Sequence, residues 1–275
     1  MCSLLPTIER VTAQEFATTI APVIDGVNSR LHQLAAPYAE EMLGEPSERP
    51  PHISPLINLR FTLLRGPLPI RGFLLSARYS PAARVHSSIT ELVDAGWLVE
   101  HDRIVSITDR TEVLLNLLYD AHAKAIGIHW ATTGVDLRAM AALTHRLLEA
   151  AAHSAGPAFS LLSPPFERAG DPDGLLLFNR LAALRYHRSD AHAAAWAAEG
   201  LTADQMLALE PSGLRDRIEA ETNRFAAAPF EVLSHAERTT VLTGLRLLPG
   251  ATDERGSAGG GTKTTGRRCR DAEEP

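Results

Sequence analysis

A mainly α-helical fold with one small β-ribbon is predicted for this 275-residue chain by three observations. Apolar residues recur at helical spacing over most of its length. Strand-like runs with a polar turn between them occur around Trp97-Leu98-Val99 and Ile104 to Ser106. The composition, 45% hydrophobic and 22% charged, is that of an ordinary folded domain able to bury a core.

The stretch Pro81 to Arg110 organises the rest. Val85, Ile89, Leu92 and Val93 fall at helical spacing from Ala82 to Ala95. Ser80 is expected to cap this helix with Pro81 at its first position, and Gly96 to end it. Trp97 to Val99 forms a strand, His101-Asp102 a tight turn, and Ile104 to Ser106 the returning strand. Thr108 caps the next helix. A helix followed by a two-stranded ribbon is the second half of a winged helix, in which the helix enters a DNA major groove.

The phrase ITELVDAGWLVEHDRIVSITDR resembles the recognition helix, wing and following helix of MarR-like winged-helix regulators. Leu92, Gly96, the wing and Thr108 match that pattern, whereas Arg110 stands where the family carries glycine. The resemblance covers about a third of the chain and implies a dimeric, DNA-binding regulator that answers to a small ligand. It also implies that the C-terminal helices, LRDRIEAETNRF onward, pair two subunits.

In order, Ala13 to Leu43 is a long helix with candidate breaks at Pro22 and Pro37, and Gly44 to His52 is a linker. Residues 1–52 are thus an N-terminal helix and linker. Residues 53–128 form the winged-helix domain, with helices expected over Ile53 to Arg65, Leu68 to Arg78 and Ser80 to Ala95. Residues 129–249 form a helical second domain, and residues 250–275 a glycine- and charge-rich tail expected to be disordered. In the second domain Leu175 to Tyr186 and Ser189 to Glu199 are expected as separate helices, with Gly200 as a stop. Thr202 with Gln205, and Ser234 with Glu237, have the form of capping boxes. Ser87 to Gly96 aligns faintly with Ala191 to Gly200, so the second domain is also open to reading as a degenerate winged-helix repeat without its ribbon.

The formal net charge of −6 does not favour a nucleic-acid binder overall, but charge is unevenly spread. From Ile53 to Trp97, five arginines face only Glu91 and Asp94. Arg78, Arg84, His86 and Ser87 cluster at the start of the DNA-reading helix, and Arg71 and Arg103 flank it. Arg84 and Ser87 are placed near bases and Arg78 on phosphate, while Glu100 and Asp102 in the wing oppose a phosphate backbone. Cys2 and Cys269 are the only cysteines, which argues against a structural disulfide or a cysteine metal site. No apolar run reaches membrane-spanning length and no secretory leader is recognised, so a cytoplasmic location is expected.

One cluster points to different chemistry. His187, Asp190 and His192 lie within six residues, a grouping that metal binding or a proton relay could use. On a straight helix His192 is turned about 140° from His187, so convergence requires a break near Ser189. With such a break, Asp190 also serves as an N-cap for the helix that follows. HRSDAH resembles a segment of an actinobacterial helix-turn-helix family of unknown role. No nucleophile elbow, zinc-protease, P-loop or dinucleotide motif is present. The leading expectation is therefore a MarR-like transcription regulator acting as a homodimer on double-stranded DNA, possessing no cofactor and no metal, and open to a small-molecule ligand. The alternatives are a metal- or ligand-dependent enzyme using His187, Asp190 and His192, and a protein-interaction scaffold that does not bind DNA.

Overall fold

The computed structural model describes residues 11–43 and 49–251. The expected tail, nearly all of it, and most of the expected linker lie outside the described residues, as do Cys2 and Cys269. The fold is mainly helical with a small three-stranded antiparallel sheet. No described helix is long and apolar enough to cross a membrane.

Helix α1 (Ala13–Met42) starts at a capping box made by Thr12 and Glu15. It runs unbroken through Pro22 and Pro37 because both prolines lie on its exposed side. There the carbonyl deprived of a partner can turn to water. Its opposite face buries Phe16, Ile20, Ile24, Val27 and Leu31, and that packing outweighs the two missing hydrogen bonds.

The expected first helix of the next unit is two short ones, α2 (Ile53–Asn58) and α3 (Arg60–Arg65), meeting at Leu59. The expected second helix begins as strand β1 (Leu68–Pro69) and continues as α4 (Ile70–Ser76). Proline cannot donate to a ladder, and here it sits in an edge strand. Helix α5 (Ala82–Asp94) has Pro81 rather than Ser80 at its N-cap, with no side-chain capping bond. Gly96, at φ +73°, supplies the left-handed stop. Strands β2 (Leu98–His101) and β3 (Ile104–Ile107) are joined by Asp102 and Arg103, both at positive φ, so the turn falls one residue later than expected. The sheet order is β1-β3-β2. Thr108 caps α6 (Asp109–His129). Arg110 lays its guanidinium 3.8 Å from the centre of the buried Trp97 ring, a use for the position a glycine would leave open.

The second unit holds α7 (Leu137–Ala152), α8 (Pro157–Leu162), α9 (Asp173–Ala198), α10 (Ala203–Ala208), α11 (Gly213–Phe225), a 3₁₀ turn (Ala228–Val232) and α12 (His235–Leu247). Both expected capping boxes form, on α10 and α12. All strand residues of the described chain lie in the first unit, and α9 is followed by the short helix α10 in the second. Helix α9 is buried around its circumference from Gly174 to Leu184, packed by α1, α6, α7, α8 and α11, whereas Arg185 and the end of its last turn are exposed. Helices α11 and α12, expected to pair two subunits, pack within the chain on α9, α1 and α7.

The units interlock. Ala158 and Leu162 of α8 are buried in the core of the small sheet, with Leu63, Phe73, Leu92 and Trp97. Arg65 donates to the carbonyls of Pro164 and Leu161 at 2.6 and 2.9 Å, and Thr62 to that of Leu162 at 3.0 Å.

Candidate functional site

A cleft of about 450 Å³ opens between α1, the α2–α3 junction, the end of α4, α9 and α11. That size falls within the range of small-molecule sites. Ala17, Ile20, Ile24 and Phe230 provide apolar wall, and Arg60, His32, Tyr79 and His192 provide polar groups.

Arg60 is the central polar group. It is only 2% exposed, and its Nη1 and Nη2 donate to the Ile57 carbonyl at 3.1 Å and to Asn179 Oδ1 at 2.8 Å. Its guanidinium lies 4.8 Å from the Phe178 ring centre and 5.2 Å from that of Phe61. No carboxylate pairs with it among the described residues. Burial pushes its pKa down, yet an arginine stays charged at neutral pH. Asn179 Nδ2, on the partner amide, is buried without an acceptor.

Beside it, His32 and His122 meet at 3.0 Å between Nδ1 and Nε2. The Leu118 carbonyl can only accept, so His122 carries its proton on Nδ1. Its Nε2 is then a lone pair, His32 must donate from Nδ1, and His32 Nε2 is left as an acceptor. Phe178 stacks on the His122 ring, 4.9 Å between centres. Burial first, and the Arg60 charge second, push His32 down to about 2 and His122 down to about 3.

These histidines make the protein acid-sensitive. Both are neutral when folded and take up protons near pH 6.5 when unfolded. The unfolded state thus gains protons first as pH falls, and stability declines from about pH 6.5 down toward the folded values. Each contributes a slope of about 1.4 kcal/mol per pH unit. His187 and His192 lean the same way through burial. Urea midpoints between pH 6.5 and 4.5 should fall, and His122→Phe should reduce the slope by about one proton.

The residues expected from sequence are dispersed. Asp190 is not an N-cap for a following helix, because α9 runs straight through Ser189. Its carboxylate instead caps α8, accepting from Ala158 N at 3.1 Å and Phe159 N at 2.8 Å. Gly156 permits this approach, since a Cβ there would meet Asp190 Cβ at 2.6 Å. His187 bonds Ser154 Oγ at 2.9 Å, and His192 Nδ1 bonds the Tyr79 hydroxyl. The three side chains therefore serve three different contacts, and no group of three or more metal-ligating residues forms among the described residues. The shared metal or relay site is corrected accordingly, while His187 and His192, though not Asp190, both line the cleft.

Arg78, expected on phosphate, is also corrected. It donates to Asp190 Oδ1 and the Ser189 carbonyl, both at 2.6 Å, with its side chain 11% exposed. A buried carboxylate that accepts two amides needs a cation, and Arg78 supplies it. Arg71, Arg84, His86, Ser87 and Arg103 are exposed. Arg84 and Ser87 share a face of α5, where Ser87 Oγ donates to Glu91 at 2.9 Å. Glu91 also takes His52 at 2.7 Å.

Sequence reasoning passed over Arg60, His32, His122, Asn179 and Phe178. The one local signal was an arginine set between Leu59 and Phe61 in an apolar helix. No family model, curated protein or solved structure matches the chain, and its geometry is the ground on which a function rests.

Proposed function

We propose that the chain is a ligand-responsive, DNA-binding transcription regulator of MarR-like type, with residues 53–128 as its winged helix-turn-helix. The observation that carries this reading is the element order α2-α3-β1-α4-α5-β2-β3 with sheet order β1-β3-β2, which leaves the Arg84 face of α5 exposed. In that docking mode the first turns of α5 approach base edges, with Arg84, His86 and Ser87 foremost and Arg71 and Arg103 toward phosphates. Two copies on a two-fold site belong to the same reading.

The cleft is the ligand site in this proposal. Tyr79, in the segment between α4 and α5, lines it and bonds His192 of α9. Neighbouring Arg78 is anchored on Asp190 of the same helix. A ligand that alters the Tyr79–His192 contact thereby acts on the link that sets α5 against the helical unit.

A second reading, a protein-interaction scaffold, is favoured by the exposed acids Glu91 and Asp94 on α5 and Glu100 and Asp102 on the ribbon. Competition gel shifts over a salt series separate the two. For the regulator, Arg84→Ala should cost about 1–3 kcal/mol at the preferred sequence and flatten the preference. Equally weak binding by wild type and variant, with no preference, leaves the scaffold.

A further inference from the structure

We infer that the cleft takes a small monocarboxylate that also carries a hydroxyl or N–H group, with the carboxylate on Arg60 and the donor on His32. This rests on the cleft being the ligand site.

Charge is the first ground. Of the cations lining the cleft, Arg185 is paired with Asp25 at 2.6 Å and Arg188 with Glu219. Among the described residues Arg60 alone of these is left without a carboxylate, and it is the most deeply buried of them. A buried cation without a counter-ion carries a large desolvation cost, and an anionic ligand offsets it. Two of its five N–H groups are used on neutral oxygens, so three remain for a carboxylate fork. One unmatched charge selects a single negative charge. A phosphate monoester would bring nearly two into a site with one to match.

The second ground is the histidine pair. Its hydrogen-bond order is fixed from the Leu118 carbonyl outward, and it ends on a lone pair at His32 Nε2. His32 lines the cleft. A neutral imidazole acceptor next to a guanidinium selects a ligand with a donor beside its anion. The remaining wall, including Ile20, Ile24 and Phe230, fits an apolar body.

Calorimetric titration of the full chain with 2-hydroxyoctanoate, octanoate and 2-hydroxyoctanamide tests this. The hydroxy acid should bind about ten-fold or more tightly than the amide, the worth of a hydrogen bond to a charged group. Octanoate should fall between them. Arg60→Met should erase the preference for acid over amide. His32→Phe should erase the preference for hydroxy acid over octanoate while keeping that of acid over amide, so the test survives if one variant fails to fold. An amide that binds as tightly as the acid overturns the carboxylate assignment and leaves the cleft as a ligand site. Failure of all three probes to bind overturns the inference, whereas the regulator reading is decided separately by gel shifts on ligand-free protein.

Discussion

Asp190→Ala should lose about 3–5 kcal/mol of folding stability, the cost of breaking a buried charge pair. Asp190 is 7% exposed and its carboxylate satisfies three donors from two other parts of the fold. Without it, Arg78 is a nearly buried cation facing only the Ser189 carbonyl, and α8 loses the acceptor for two amides at its start. Asp190→Asn keeps one acceptor but not the charge, so it should fall between wild type and alanine. Adding Arg78→Met to Asp190→Ala should recover part of the loss, because the stranded charge goes with it. Urea unfolding of the four proteins measures the cycle. A cost below about 1 kcal/mol, the range of exposed pairs, would show that water reaches the pair and that it does not hold the α4–α5 segment to α9.

Phe178→Ala should cost a similar amount, about 3–5 kcal/mol, for a different reason. Phe178 is fully buried, and its ring touches three polar groups, stacking on His122, meeting His32 edge-on at 5.2 Å between centres and lying under Arg60. Truncation leaves a void among groups that attract water. Hydration would then restore part of the basicity of both histidines, so the variant should be less stable at pH 7 yet lose less on acidification than wild type. Urea midpoints at pH 7 and pH 5 report both effects. A variant that is destabilised but keeps the full acid slope would show that Phe178 packs without keeping the histidines dry.

Local chemistry was legible in the sequence and tertiary chemistry was not. Gly96, Thr108 and the two capping boxes act through neighbours three or four residues away, and each does what its spacing implies. Ser189 and Asp190 have the composition of a helix boundary, but Asp190 is drawn to the amides of α8, some thirty positions earlier, and α9 continues past both. Ser80 likewise stands where a cap is favoured and makes no capping bond to α5. Of the cleft, the sequence marks His187 and His192 for metal or relay chemistry, whereas the structure gives the first a serine and the second a tyrosine. His32 and His122 stand 90 residues apart, with no pattern linking them before α1 packs on α6. Arg60 became significant only once the absence of a nearby acid among the described residues could be seen.

The regulator reading is tested most directly by selection from a random double-stranded DNA pool with the full-length protein, repeated with Arg84→Ala. Wild type should enrich a defined sequence, and Arg84→Ala should lose that enrichment at the positions read by the first turns of α5. No enrichment by wild type at any salt concentration, or the same enriched sequence from both proteins, would contradict a DNA-reading role for α5.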